Sequence, residues 1–76
     1  MEEKIIKILS DIRPEIDFRS ANDFIENGML DSFDIVTLVV ALDNEFSISI
    51  DGIDILPENF SSVGKIAGLV RKKVTH

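Results

Sequence analysis

The chain has 76 residues, a formal net charge of −6, one histidine and no cysteine. That length sets a single domain, residues 1–76, with a modest core, and the missing cysteines exclude both a disulfide framework and a thiolate zinc site. The acids are segregated: residues 15–58 carry eleven acids and one base, Arg19, a surface that repels nucleic acid and steers a basic partner toward it.

In chain order, Ile5, Ile8, Leu9 and Ile12 follow the i, i+3, i+4, i+7 pattern of one helix face. Lys7 interrupts this apolar cluster and no cleavage site follows, so a leader peptide is not expected. Arg13-Pro14 ends the helix, because a residue before proline avoids the helical region. A long connection from Pro14 to about Leu30 comes next, with Phe18, Phe24 and Ile25 expected to pin it onto the core. Loops of that length are uncommon in compact domains and often functional.

The second helix is read from about Ser32 to Phe46, after the turn signal Asn27-Gly28. Asp31 is a good N-cap, and Asp34 stands where a carboxylate can reach back to complete a capping box. Ser32 therefore falls in the first turn, where backbone N–H groups and the helix dipole favour an anion. A phosphate ester on its hydroxyl is electrostatically welcome there, so Ser32 reads as a modified residue rather than a catalytic one.

The stretch Ser47-Ile48-Ser49-Ile50-Asp51-Gly52 alternates as a short strand does, but no second strand is available to pair with it, and a sheet is rejected. A short helical turn is expected over Leu56–Phe60, with Pro57 in its first turn. The last helix starts at Ser61 or Ser62 and places Val63, Ile66, Ala67, Val70 and Val74 on one face. Gly64 and Gly68 weaken it and are expected to permit close packing against a neighbour. The expected fold is all-α: a small bundle of three main helices and one short one. The longest apolar run, around Ile35–Leu42, is broken by Thr37 and falls far below the ~20 residues that span a bilayer. A cytoplasmic monomer without membrane insertion is expected.

Helix two is more apolar than one buried face requires. At about 100° per residue, Ile35, Leu38, Val39, Leu42 and Phe46 form the core face. Phe33, Val36 and Val40 form a second stripe, begun by Ser32 and continued by Asp43. The stripe reads either as a partner-docking surface with acidic surroundings or as extra core of a central helix. Phe33, beside the loop, favours the docking surface. Leu38, Leu42, Ile50 and Phe60 could line a pocket for a carried group, although ordinary core packing accounts for each of them.

Catalytic constellations are missing. The only imidazole, His76, is the last residue, so a hydrolase triad has no candidate base. Asp51, Asp54 and Glu58 do not fit the spacing of a calcium loop, no glycine-rich phosphate loop is present, and no metal site is specified. An enzyme is therefore not expected.

The run Gly28-Met29-Leu30-Asp31-Ser32-Phe33-Asp34-Ile35-Val36, followed by Leu38, Leu42, Glu45 and Phe46, resembles the signature of acyl carrier proteins. The resemblance covers essentially the whole chain, including the order helix, long loop, helix, short helix, helix. It implies that a phosphopantetheinyl transferase moves 4′-phosphopantetheine from coenzyme A onto Ser32. The terminal thiol of that arm then carries a thioester between enzymes, as in fatty-acid or polyketide synthesis. It also implies that Asp31 contacts the transferase. Phe33, Asp34, Val36, Val40 and Asp43 correspond to positions that meet partners: the transferase, a loading ligase and downstream enzymes with basic docking surfaces. Thr37 and Asn44 replace residues that are commonly acidic in fatty-acid carriers. Leu30-Asp31-Ser32-Phe33 and Pro57-Glu58-Asn59-Phe60-Ser61 look more like carriers of dedicated pathways, including D-alanyl carrier proteins. An aminoacyl carrier is thus the alternative to an acyl carrier. A reading of a different class is an unmodified acidic helical domain that docks a partner through the Phe33 stripe.

Overall fold

The computed structural model describes residues 1–20 and 22–74. Three α-helices carry the fold: α1 (Glu2–Ile12), α2 (Ser32–Phe46) and α3 (Val63–Val74). Two 3-10 turns, Gly52–Asp54 and Pro57–Asn59, lie between α2 and α3, and no strand occurs among the described residues. The 3-10 turn Pro57–Asn59 takes the place of the expected short helix, with proline in its first turn. The turn Gly52–Asp54 is not among the expected elements; it starts at the turn dipeptide Asp51-Gly52, where the alternating stretch ends.

Local contacts close the helix boundaries. At the end of α1 the Arg13 N–H closes on the Leu9 carbonyl, and Pro14 prevents another turn. Ser47 ends α2 in the left-handed region, at φ 53°, with its N–H on the Asp43 carbonyl. Ser62 caps α3, its hydroxyl accepting the Lys65 N–H at 3.2 Å.

α1 packs on both α2 and α3. Ile5 and Leu9 from α1, Ile35, Leu38, Val39 and Leu42 from α2, and Ile66, Ala67, Leu69 and Val70 from α3 meet in one core. The long connection closes that core. Phe18 and Phe24 are buried in an edge-to-face pair with centroids 5.1 Å apart. The Phe24 N–H donates to the Ser61 carbonyl at 2.9 Å, and its own carbonyl accepts the Met29 N–H at 2.8 Å. Gly28, at φ +70°, supplies the turn that returns the chain to Leu30, a conformation that strains any L side chain. Arg19, the only base of the acidic block, is spent on this loop, paired with Glu3 of α1. The radius of gyration, 11.2 Å, is that of a closed domain, for which ~11 Å is expected at this length, so the loop adds no extended excursion.

Two expectations for α3 are corrected. Val74 is 51% exposed, because the helix outruns the core by its last turn, and Leu69, which is not on the expected core face, is buried. Gly64 and Gly68 permit no close approach: both are exposed, and a Cβ on Gly68 meets nothing within 4 Å. They lie on the solvent face, where their effect is to loosen the helix.

Candidate functional site

The site is built on the start of α2. Asp31 stands at the N-cap in extended conformation, and its Oδ1 accepts the Asp34 N–H at 2.9 Å. In return the Asp34 Oδ2 accepts the Asp31 N–H at 3.2 Å, so the expected capping box is complete. The box satisfies two of the four N–H groups that a helix start leaves open, and those of Ser32 and Phe33 remain. Ser32 is exposed, and its hydroxyl makes no hydrogen bond to the described residues.

The box is tied to the end of α1. Arg13 donates from Nε to Asp34 Oδ2 at 2.8 Å, and its Nη2 lies 2.8 Å from the same oxygen. Nη2 also reaches Asp31 Oδ2 at 3.4 Å, and Nη1 faces Glu15 at 3.6 Å. Burial pushes the Asp34 carboxyl up, but the Arg13 hydrogen bond, the Asp31 backbone N–H and the guanidinium charge outweigh it and hold the group below its ordinary value. Arg13 is correspondingly raised, chiefly by its hydrogen bond to Asp34.

This lowering fixes the sign of the pH dependence. A carboxyl whose pKa is lowered on folding contributes stability above its unfolded value of ~3.9, and that contribution is lost as pH falls through the lower folded value. Asp34→Asn is therefore expected to lower the melting temperature at pH 6–7, with the gap to wild type closing as pH falls below about 3.9. Thermal melts across that range check it, and a gap that stays constant rejects the ion pair as its source.

Alongside Ser32 runs a groove of about 430 Å³. Asp31, Ser32, Ile35 and Val36 line one side, and Ile55 and Leu56 from the 3-10 region line the other. Phe60 lies at its base, only 1% exposed. The Ile55-Leu56 wall was not legible as a site element, and its only sequence signal is a pair of aliphatic residues just before Pro57. Asp54 anchors that segment: Lys73 of α3 contacts it at 2.6 Å, and the Asn59 side chain donates to its carbonyl at 2.8 Å. The Lys73 ammonium against it, in turn, holds the Asp54 carboxyl below its ordinary value.

The apolar stripe of α2 faces outward. Phe33 is 84% exposed, Val36 59% and Val40 55%, so these three are not core. The two acids associated with the stripe are engaged internally. Asp34 sits under Arg13, and the Asp43 Oδ1 accepts the Ile50 N–H at 3.0 Å, fastening the chain that leaves α2. Leu38, Leu42 and Ile50 pack in the core rather than lining a pocket, and of the four candidates only Phe60 borders the groove. His76 lies outside the described residues. Among the described residues no three His, Cys, Asp or Glu side chains gather as a metal cage, and no helix is long and apolar enough to cross a membrane.

The chain is similar over nearly its whole length to curated carrier proteins. It is 33% identical over 75 residues to the D-alanyl carrier protein of Lactococcus lactis subsp. cremoris strain MG1363, covering 96% of this chain and 95% of that protein. The D-alanyl carrier protein of Lactococcus lactis subsp. lactis strain IL1403 is 32% identical over the same coverage. No family model and no solved structure matches.

Proposed function

Since the chain belongs to the acyl carrier protein family, we propose that it is an aminoacyl carrier, D-alanyl in type, with 4′-phosphopantetheine attached to Ser32. The observation that carries this reading is the hydroxyl itself: exposed, free of side-chain bonds and set directly after the N-cap, inside a complete capping box. An exposed oxygen is open to a transferase, and the two open N–H groups of the first turn suit the phosphodiester anion. The neighbouring groove offers apolar walls along which an extended arm can lie. The absence of cysteine fits a chain whose working thiol is added with the prosthetic group. When attached, that group supplies the thiol on which cargo is held as a thioester.

The residues divide the remaining work. Asp31 and Asp34 hold the first turn in place, and exposed Asp31 also offers a charge to a basic transferase surface. Phe33, Val36 and Val40 form the apolar centre of a face for successive partners, a loading ligase among them. Leu38 and Leu42 are fully buried in the core, an arrangement compatible with an aminoacyl cargo, which requires no deep pocket. The relatives named for D-alanine favour the same cargo over a fatty acyl or polyketide chain.

The test has two stages. The protein is incubated with coenzyme A and a broad-specificity phosphopantetheinyl transferase, and the peptide containing Ser32 is expected to gain the mass of the arm. The product is then offered to a D-alanine–carrier ligase with ATP and, separately, to a fatty acyl ligase. Loading of D-alanine in preference to the fatty acid is expected. No mass gain rejects the carrier reading of Ser32, and preferential fatty acyl loading rejects the aminoacyl one.

A further inference from the structure

We propose that Arg13 is a positioning and charge-compensating residue for the anion on Ser32, an inference that rests on Ser32 as the attachment point. Asp31 and Asp34 complete the capping box without a third side chain, and a guanidinium, which only donates, cannot satisfy the two N–H groups that the box leaves open. Arg13 is nevertheless brought to both of them across 18 and 21 residues of sequence. What capping does leave is charge. Asp31 and Asp34 bring two carboxylates to a turn whose dipole offers only about half an elementary positive charge. A phosphodiester on Ser32 adds another negative charge directly beside Asp31.

The Arg13 guanidinium is the group placed to offset it. Its planar fork addresses Asp34 through Nε and Nη2, Asp31 through Nη2 and Glu15 through Nη1. One ammonium cannot reproduce that geometry. Asp34 is only 14% exposed, so its pairing with Arg13 is shielded from solvent more than an ordinary surface bridge. Arg13 also comes from the end of α1, so the same contact holds the modified turn against the rest of the bundle. Without it, a modified first turn keeps two carboxylates and a phosphodiester and loses the cation that bridges the carboxylates.

The experiment measures coupling rather than stability alone. Thermal midpoints of wild type, Arg13→Gln and Arg13→Lys are compared at low salt with and without the arm. Attachment is expected to lower the Arg13→Gln midpoint by ~2–5 °C more than the wild-type midpoint. Arg13→Lys falls between them, and salt near ~0.5 M shrinks the difference. Ser32→Asp, made in the wild-type and Arg13→Gln backgrounds, measures the same coupling without a transferase. A merely structural Arg13 lowers both midpoints but leaves the effect of the added charge the same in each background. Equal shifts overturn the proposal while leaving Ser32 as the attachment point. A wild-type chain that accepts no arm overturns both assignments.

Discussion

Ser32→Ala is expected to abolish arm attachment altogether while keeping the melting temperature within about 4 °C of wild type. The two outcomes have separate causes. Attachment requires the hydroxyl oxygen, and alanine supplies no nucleophile. Stability requires the cap, and the cap is Asp31 paired with Asp34 through their backbone N–H groups. The Ser32 side chain takes no part in that exchange and is exposed. Mass spectrometry after transferase treatment and a thermal melt of the same sample read the two effects independently. Continued attachment in the alanine variant places the site elsewhere. A large loss of stability makes Ser32 a structural residue of the helix start.

The second large effect separates the two faces of α2. Leu42 is fully buried, and Leu42→Ala is expected to cost about 2–5 kcal/mol through lost transfer free energy and the cavity left behind. A chain of 76 residues has a total stability of only roughly 4–11 kcal/mol, so this variant sits near the folding threshold at 37 °C. Phe33 has the larger side chain but is 84% exposed, and Phe33→Ala is expected to change stability by less than about 0.5 kcal/mol. Its effect falls instead on encounters: slower arm transfer or slower loading, as an exposed aromatic anchor is lost. Denaturant melts and transferase rates on both variants give the paired measurement. Phe33→Ala with wild-type rates leaves the stripe without a docking role. Phe33→Ala as unstable as Leu42→Ala contradicts the exposure on which the distinction rests.

Asp43 continues the stripe in register but is engaged internally. Its carboxylate accepts the Ile50 N–H, so removing it releases the chain after α2 as well as a surface charge. A lost partner interaction in an Asp43 variant is therefore not by itself a docking effect, and Asp43→Asn, which keeps an acceptor oxygen, is the variant that isolates charge.

Much of this protein is local, and local features are legible in sequence. Helix periodicity, Arg13-Pro14 as a stop, and Asp31 and Asp34 as a reciprocal cap all act within a turn or two. For that reason α2 runs from Ser32 to Phe46 as its pattern requires, and Ser32 falls in the first turn. Phe18 and Phe24 were legible as anchors of the long loop because large apolar side chains in a polar segment must find a core. The composition alone determined that any working thiol comes from outside the polypeptide. Tertiary structure decided the rest. Val36 and Val39 are chemically identical, yet one is 59% exposed and the other 9%, because α1 and α3 cover only part of the α2 surface. Val74 shares the period of its helix but extends past the core that would bury it. The meeting of Arg13 with Asp34, and of Ile55 and Leu56 with the Ser32 side of α2, depends on how separate elements pack in space. Periodicity states which way a side chain points from its own helix axis; only packing states what stands opposite it.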